Sequence, residues 1–179
     1  DKTITTGEGG MLLTNNVELI SESNIYKHDG RKERGVDEID KRGFNYRLTE
    51  LQAAVGVAQL GKSDRFVKRK KENLQLYNSF LKEVKQVKVF EFTSEGEIVP
   101  HRNIIFVPKA ADLIEHLVEN GVGARTLFKP MHSQPCYNRT DKFPITDKLY
   151  KTGVCLPSAP SLTNNDIEYI CQLIKQFYT

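Results

Sequence analysis

The sequence predicts an α/β chain whose second half is a small α+β domain, and three observations carry that expectation. A threonine- and glycine-rich opening, DKTITTGEGG, reads as strand and turn. An uninterrupted helical pattern follows over about residues 63–85. Beyond it, β-branched and aromatic runs alternate with amphipathic helical stretches. The predicted division is residues 1–62 as the C-terminal part of a large α/β domain, 63–85 as a connecting helix, and 86–179 as a small C-terminal α+β domain. The first segment has too few apolar positions to build a core alone, so it is expected to be part of something larger.

Each element has its own signal. ITT, GEGG and MLLT read as two short strands around a glycine turn. Asn15 with Glu18 three residues later predicts a capped helix through about Tyr26. HDGRKERGVDEIDKRG lacks apolar periodicity and reads as a long polar loop. Thr49 and Gln52 form a T-x-x-Q capping box, with Leu51, Ala54, Val55 and Ala58 on one helical face. Ser63 is the expected cap of the connecting helix, whose buried stripe is Phe66, Leu74, Tyr77, Leu81 and Val84. VKVFEF, NIIFVP and GARTLF are strand candidates. DLIEHLVENG is a helix stopped by Gly121. KPMHSQPCYNRTDKFP is a proline-marked loop, and Thr163 caps a last helix with Ile167, Ile170, Ile174 and Phe177 on one face.

Composition narrows the function classes. The chain has 179 residues, 39% hydrophobic and 27% charged, with a net charge of +3, which is too mild to predict a nucleic-acid partner. No apolar run approaches membrane-spanning length, so no membrane partner is expected. Cys136, Cys155 and Cys171 are odd in number and scattered, which predicts a reducing cytoplasm rather than a disulfide framework. No histidine pair, HExxH or CxxC has metal-ligand spacing, so no metal is expected. Gly7, Gly9 and Gly10 do not form GxGxxG before a helix, and no Walker A sequence occurs. The basic run VKRKK reads as the solvated face of a helix rather than a nucleic-acid patch.

Five residues carry candidate chemistry. Lys2 is an ordinary surface charge unless its pocket lowers its basicity, in which case its amine can form a Schiff base. Asn45, in GFNYR, is a turn residue or a neutral donor to a phosphate oxygen. Arg47 is a surface ion-pair partner or a bidentate anion ligand. His132, in KPMHSQ, and His28, in KHDGR, are solvated loop residues or site residues. His101 and His116 read as structural or solvated.

DKTITTGEGGMLLTNN resembles the Schiff-base segment of the DegT/DnrJ/EryC1/StrS aminotransferase family. These are pyridoxal 5'-phosphate (PLP) enzymes that aminate keto-sugars, usually attached to nucleotides. GFNYRLTELQAAVGVAQL is similar to the family's second signature, at a fitting spacing, and CLPSAPSLTNNDIEYICQLIKQF to its closing segment, with PMHSQPCY between them. The resemblance spans the chain in order. It implies the fold-type I PLP-dependent aminotransferase arrangement, with roughly the first half of a typical member missing. It implies Lys2 as the catalytic, cofactor-bound lysine. The family's related dehydratases carry histidine there, so lysine implies transamination. Asn45 is implied as a cofactor-phosphate ligand reaching across a homodimer with shared active sites. Arg47, His132 and His28 are implied as substrate contacts. The implied substrates are a keto-sugar nucleotide, of the 4-keto-6-deoxy type, and glutamate as amino donor. The competing expectation is a truncated, catalytically silent domain that dimerises or binds a partner through QAAVGVAQL.

Overall fold

The computed structural model describes residues 2–33, 35–91, 96–137 and 140–179. It divides into two compact units, one of residues 4–63 and one of residues 1–3 with 64–179.

In the first unit, helix α1 (Val17–Lys27) is capped by Asn16, whose side chain accepts from the Glu18 and Leu19 amides. The cap is therefore one residue later than the Asn15 expected. Helix α2 (Glu50–Leu60) starts on the predicted capping box, with the Thr49 and Gln52 side chains each bonded to the other's backbone. The strands expected around GEGG do not form. Residues 2–14 have no strand pairing; the turn is held instead by Thr6 Oγ1 donating to the Glu8 carbonyl at 2.6 Å and Gly7 N donating to Thr5 Oγ1 at 3.0 Å. A strand is stable only against a partner, and local threonine hydroxyls satisfy this backbone without one.

The second unit holds the core. Helix α3 (Ser63–Leu81) is followed by strands β1 (Lys88–Val89) and β2 (Asn103–Phe106), helix α4 (Ala110–Glu119), strand β3 (Arg125–Thr126), helix α5 (Pro144–Thr152), strand β4 (Gly153–Leu156) and helix α6 (Asn164–Tyr178). The sheet order is β1-β2-β4-β3, antiparallel throughout. The register sets Ile105 opposite Val154 and Asn103 opposite Leu156, and these residues are buried. Ile105, Val154 and Leu156 join Tyr77 and Leu81 of α3, Leu113 and Leu117 of α4, and Ile167, Ile170 and Ile174 of α6 in one cluster. By alternation, Ile104, Cys155 and Arg125 form a row across the opposite sheet face. Gly121, at φ 77°, ends α4 as expected, with the Val122 amide bonded to the Leu117 carbonyl at 2.8 Å. The Thr163–Asp166 capping box starts α6.

Three expectations need correction here. GARTLF contributes only Arg125–Thr126 to the sheet. VKVFEF contributes Lys88–Val89, and its Phe92 lies outside the described residues. The stripe of α3 buries Lys70, Asn73, Tyr77 and Leu81, while Phe66, Leu74 and Val84 are half-buried. Polar side chains belong in that stripe because the irregular segment after β4 presents bare carbonyls. Asn73 Nδ2 donates to the Ala159 carbonyl at 3.1 Å, Tyr77 Oη to the Pro157 carbonyl at 3.1 Å, and Arg69 to the Leu162 carbonyl at 3.0 and 2.7 Å. The basic run is thus not a solvated face: Lys70 is 2% exposed, with Nζ 3.4 Å from the Pro100 carbonyl.

Candidate active site

In the first unit, three candidate residues share one small structure. The chain after α1 doubles back on itself, and His28 and Asn45 face each other in an isolated antiparallel bridge. Phe44 N donates to the Tyr26 carbonyl at 2.7 Å and Tyr46 N to the Lys27 carbonyl at 3.1 Å. Two glycines make this approach possible. A Cβ on Gly30 would lie 1.7 Å from the Lys41 carbonyl oxygen, and one on Gly43 would lie 2.0 Å from Gly30 N. The polar loop between them is tied at its base by Lys32 on Asp40 at 2.5 Å and Lys41 on Glu22 at 2.6 Å. The Lys32 hydrogen bond holds the Asp40 carboxyl below its usual range. Arg34 of this loop lies outside the described residues.

The bridge leaves the Asn45 side chain exposed. Arg47 is also exposed and lines a groove of about 800 Å³ with Lys27, Tyr46, Met11 and Leu13. Phe44 and Tyr46 stack at 4.9 Å, which stiffens the segment carrying Asn45 between them. Both ring nitrogens of His28 are shielded from solvent and have no hydrogen-bond partner among the described residues. Such a ring is a ready acceptor or donor for a bound group.

Lys2 groups with the second unit and is exposed. Its charge bears on His101, whose pKa is lowered first by desolvation and then by the charges of Arg102, Lys2 and Lys70. His101 lines a cavity of about 420 Å³ together with Arg102, Arg125, Phe128 and Cys155. None of the residues lining it carries a carboxylate. His132 stands in a one-turn 3₁₀ segment, Met131–Ser133, of the same unit. Its Nε2 is 2.9 Å from Asp147 Oδ1 on α5, and its ring lies 4.9 Å from that of Phe143. His132, Met131, Tyr137, Phe143 and Thr146 line a cavity of about 400 Å³. Asn138 and Arg139 of the predicted loop lie outside the described residues.

His28, Asn45 and Arg47 thus share one segment pair of the first unit, and Lys2 and His132 belong to the second. Sequence reasoning read His101 as structural or solvated and did not single out Arg102, Arg125 or Asp147. Among the described residues no cluster of three or more His, Cys, Asp or Glu side chains is placed to hold a metal ion. No helix among them is long and apolar enough to cross a membrane.

Comparison with known proteins bears on the fold and the family. Residues 1–175 match the DegT/DnrJ/EryC1/StrS aminotransferase family. A GDP-perosamine synthase of Escherichia coli O157:H7 is 36% identical over 100% of this chain and 50% of its own length. The chain therefore spans about half the length of the curated relatives it matches. Among solved structures, Helicobacter pylori PseC, an aminotransferase involved in the biosynthesis of pseudoaminic acid, superposes with a TM-score of 0.89 at 23% identity, over 99% of this chain and 50% of its own. A Streptococcus pneumoniae protein, Spr1654, solved in a PLP form, gives a TM-score of 0.85 at 19% identity, over 98% of this chain and 48% of its own. The mixed helix–sheet fold is that of these proteins, as the sequence led us to expect. The chain belongs to the DegT/DnrJ/EryC1/StrS aminotransferase family.

Proposed function

We propose that the protein is a PLP-dependent aminotransferase that moves an amino group from glutamate to a nucleotide-linked 4-keto-6-deoxy sugar. The observation that carries this reading is the family match, which runs from the first residue and so includes Lys2 in DKTITTGEGG. The identity to a GDP-perosamine synthase supports the keto-sugar class.

The residues in hand fit PLP. Lys2 offers a primary amine for its aldehyde. Asn45 and Arg47 are exposed donors suited to phosphate, and His28 has two shielded nitrogens with no hydrogen-bond partner among the described residues. When bound, PLP supplies an electron sink that acidifies the substrate carbon next to nitrogen. Lys2 Nζ would hold the cofactor through its aldehyde and would move the proton at that carbon. Asn45 holds the phosphate across a homodimer interface, so each site draws on two subunits. The exposed apolar side chains of α2, with Leu51, Val57 and Leu60 at 83%, 76% and 65% exposure, support such an interface. His132, its Nε2 held by Asp147, orients the sugar nucleotide. All three cysteines are free thiols, which supports a cytoplasmic site of action.

The test uses protein of the full length of its relatives, PLP, and glutamate labelled with ¹⁵N at the amine. Label appearing on a GDP- or UDP-linked 4-keto-6-deoxy sugar, and absent with Lys2→Ala, is the expected result. Dehydration of the sugar without nitrogen transfer would overturn the reading. A silent, dimerising domain predicts neither product.

A further inference from the structure

Helix α3 buries a polar cluster that has no part in the reading above. Lys70, Asn73 and Tyr77 follow one another at three- and four-residue spacing, which puts them on one helical face, and they are 2%, 0% and 1% exposed. Asn103, at the start of β2, is 2% exposed and meets the same face. Its Nδ2 and Tyr77 Oη both donate to the Pro157 carbonyl, at 3.2 and 3.1 Å.

The amide donors of this cluster have partners, because Asn73 Nδ2 donates to the Ala159 carbonyl at 3.1 Å. A carbonyl only accepts, so these contacts fix both carboxamides. Turning either one over would set oxygen against oxygen. The acceptors are left over. Asn73 Oδ1 and Asn103 Oδ1 are shielded from solvent and have no hydrogen-bond partner among the described residues. Lys70 Nζ has three protons to donate and reaches one acceptor among those residues, the Pro100 carbonyl, at a long 3.4 Å. Desolvation lowers its basicity, with no carboxylate acting against it.

Two orphaned oxygens and an under-used amine in one buried cluster call for a partner that serves all three. The chemistry of that partner is narrow. An anion is repelled by the two carboxamide oxygens. A metal cation is repelled by a Lys70 ammonium. A molecule that donates twice and accepts once fits both, and water does so in the smallest volume.

We propose that Lys70, Asn73 and Asn103 form an internal water site, in which one water donates to Asn73 Oδ1 and Asn103 Oδ1 and accepts from Lys70 Nζ. The water joins α3 to two irregular segments, residues 100–102 and 157–162. The same segments are clamped by Arg69 on the Leu162 carbonyl and by Ser158 Oγ on the His101 carbonyl. The water completes that clamp at its buried end. No candidate active-site residue belongs to the cluster, so the site stands or falls separately from the substrate assignment.

The first test is a crystal structure of the full-length protein at a resolution that orders internal water. A single density peak within about 3.2 Å of Lys70 Nζ, Asn73 Oδ1 and Asn103 Oδ1 is expected. Lys70 Nζ bonded directly to either carboxamide oxygen, with no water between, overturns the proposal. Density for a heavier ion overturns it too.

The second test is hydrogen exchange in full-length variants. Lys70→Met keeps the stem and removes the amine. Asn103→Leu removes the carboxamide while Tyr77 still serves the Pro157 carbonyl. Each is expected to speed amide exchange within residues 158–162 about tenfold. Because both act through one water, the double variant is expected to stay near tenfold rather than reach the roughly hundredfold of independent effects. A hundredfold product, or no change in either single variant, overturns the shared water. Unchanged circular dichroism and elution volume show that each variant is folded; where one is not, the wild-type density decides.

Discussion

Residues 64–179 bury Leu81, Leu113, Leu117, Ile167 and Ile174 completely, whereas the described residues of 4–63 bury one large apolar side chain, Ile25. Both units have capped helices, and both capping boxes have threonine at the N-cap. The contrast teaches that local signals suffice to write a helix, while a core needs apolar faces that find one another. In the second unit, α4 and α6 close on the sheet. In the first, Met11, Leu13, Leu51 and Val57 remain at least three-quarters exposed, at 85%, 84%, 83% and 76%. Covering any one of them would contribute about 1.5–3 kcal/mol, so this surface is where a further segment or a second subunit gains most.

The sharpest way to break this comparison is truncation of matched leucines. Leu113→Ala is expected to destabilise the second unit by about 2–5 kcal/mol, by removing a fully buried side chain and leaving a cavity. Leu51→Ala, at 83% exposure in the single chain, is expected to change the stability of the monomer by less than about 0.5 kcal/mol. Chemical denaturation of the two variants measures both. Similar losses would show that α2 is buried in solution.

The caps give a smaller effect. Thr163→Ala and Thr49→Ala each remove the side chain that accepts the Asp166 and Gln52 amides respectively, at a cost of about 1 kcal/mol. In α6 the loss is expected in global unfolding, because that helix belongs to the core. In α2 it is expected as faster local amide exchange with little change in the global transition. Hydrogen exchange followed residue by residue distinguishes the two.

The smallest effect is that of pH on His101. Its folded-state pKa is depressed below the ordinary 6.5, so below that value the unfolded chain binds a proton that the folded chain resists. Stability is therefore expected to fall as pH drops through about 6.5 toward the folded-state value, and the slope is expected to flatten in His101→Gln. Thermal melts across that window test the sign.

The parts of this fold visible in the sequence were those with short-range causes. The Thr49 and Thr163 caps, and the Gly121 stop, depend on residues within one turn. The α1 cap lies one position later than expected because two adjacent asparagines offer the same chemistry, and it is Asn16, with an extended backbone, whose side chain accepts the first-turn amides. Strand β4, GVCL, escaped notice because it is buried at all four positions and so shows no alternation. Helix α5 was hidden in a loop-like stretch, although Pro144 sits where a first helical turn favours it.

The site divides in the same way. Lys2, His28, Asn45, Arg47 and His132 stood in recognisable segments. The cation cavity did not, because sheet register brings Arg125 to Cys155 and Ile104 to Cys155 across long stretches of chain. The burial of Lys70 and Asn73 was equally illegible, since its cause is the set of carbonyls at residues 100 and 159.

The measurement that bears most directly on the central claim is chemical trapping of the cofactor. Full-length protein is incubated with PLP, reduced with borohydride, digested and mapped, with Lys2→Ala alongside. The account predicts a single modified peptide containing DKTITTGEGG, labelled at Lys2 and unlabelled in the variant. Labelling spread over many lysines, or undiminished in the variant, would contradict it.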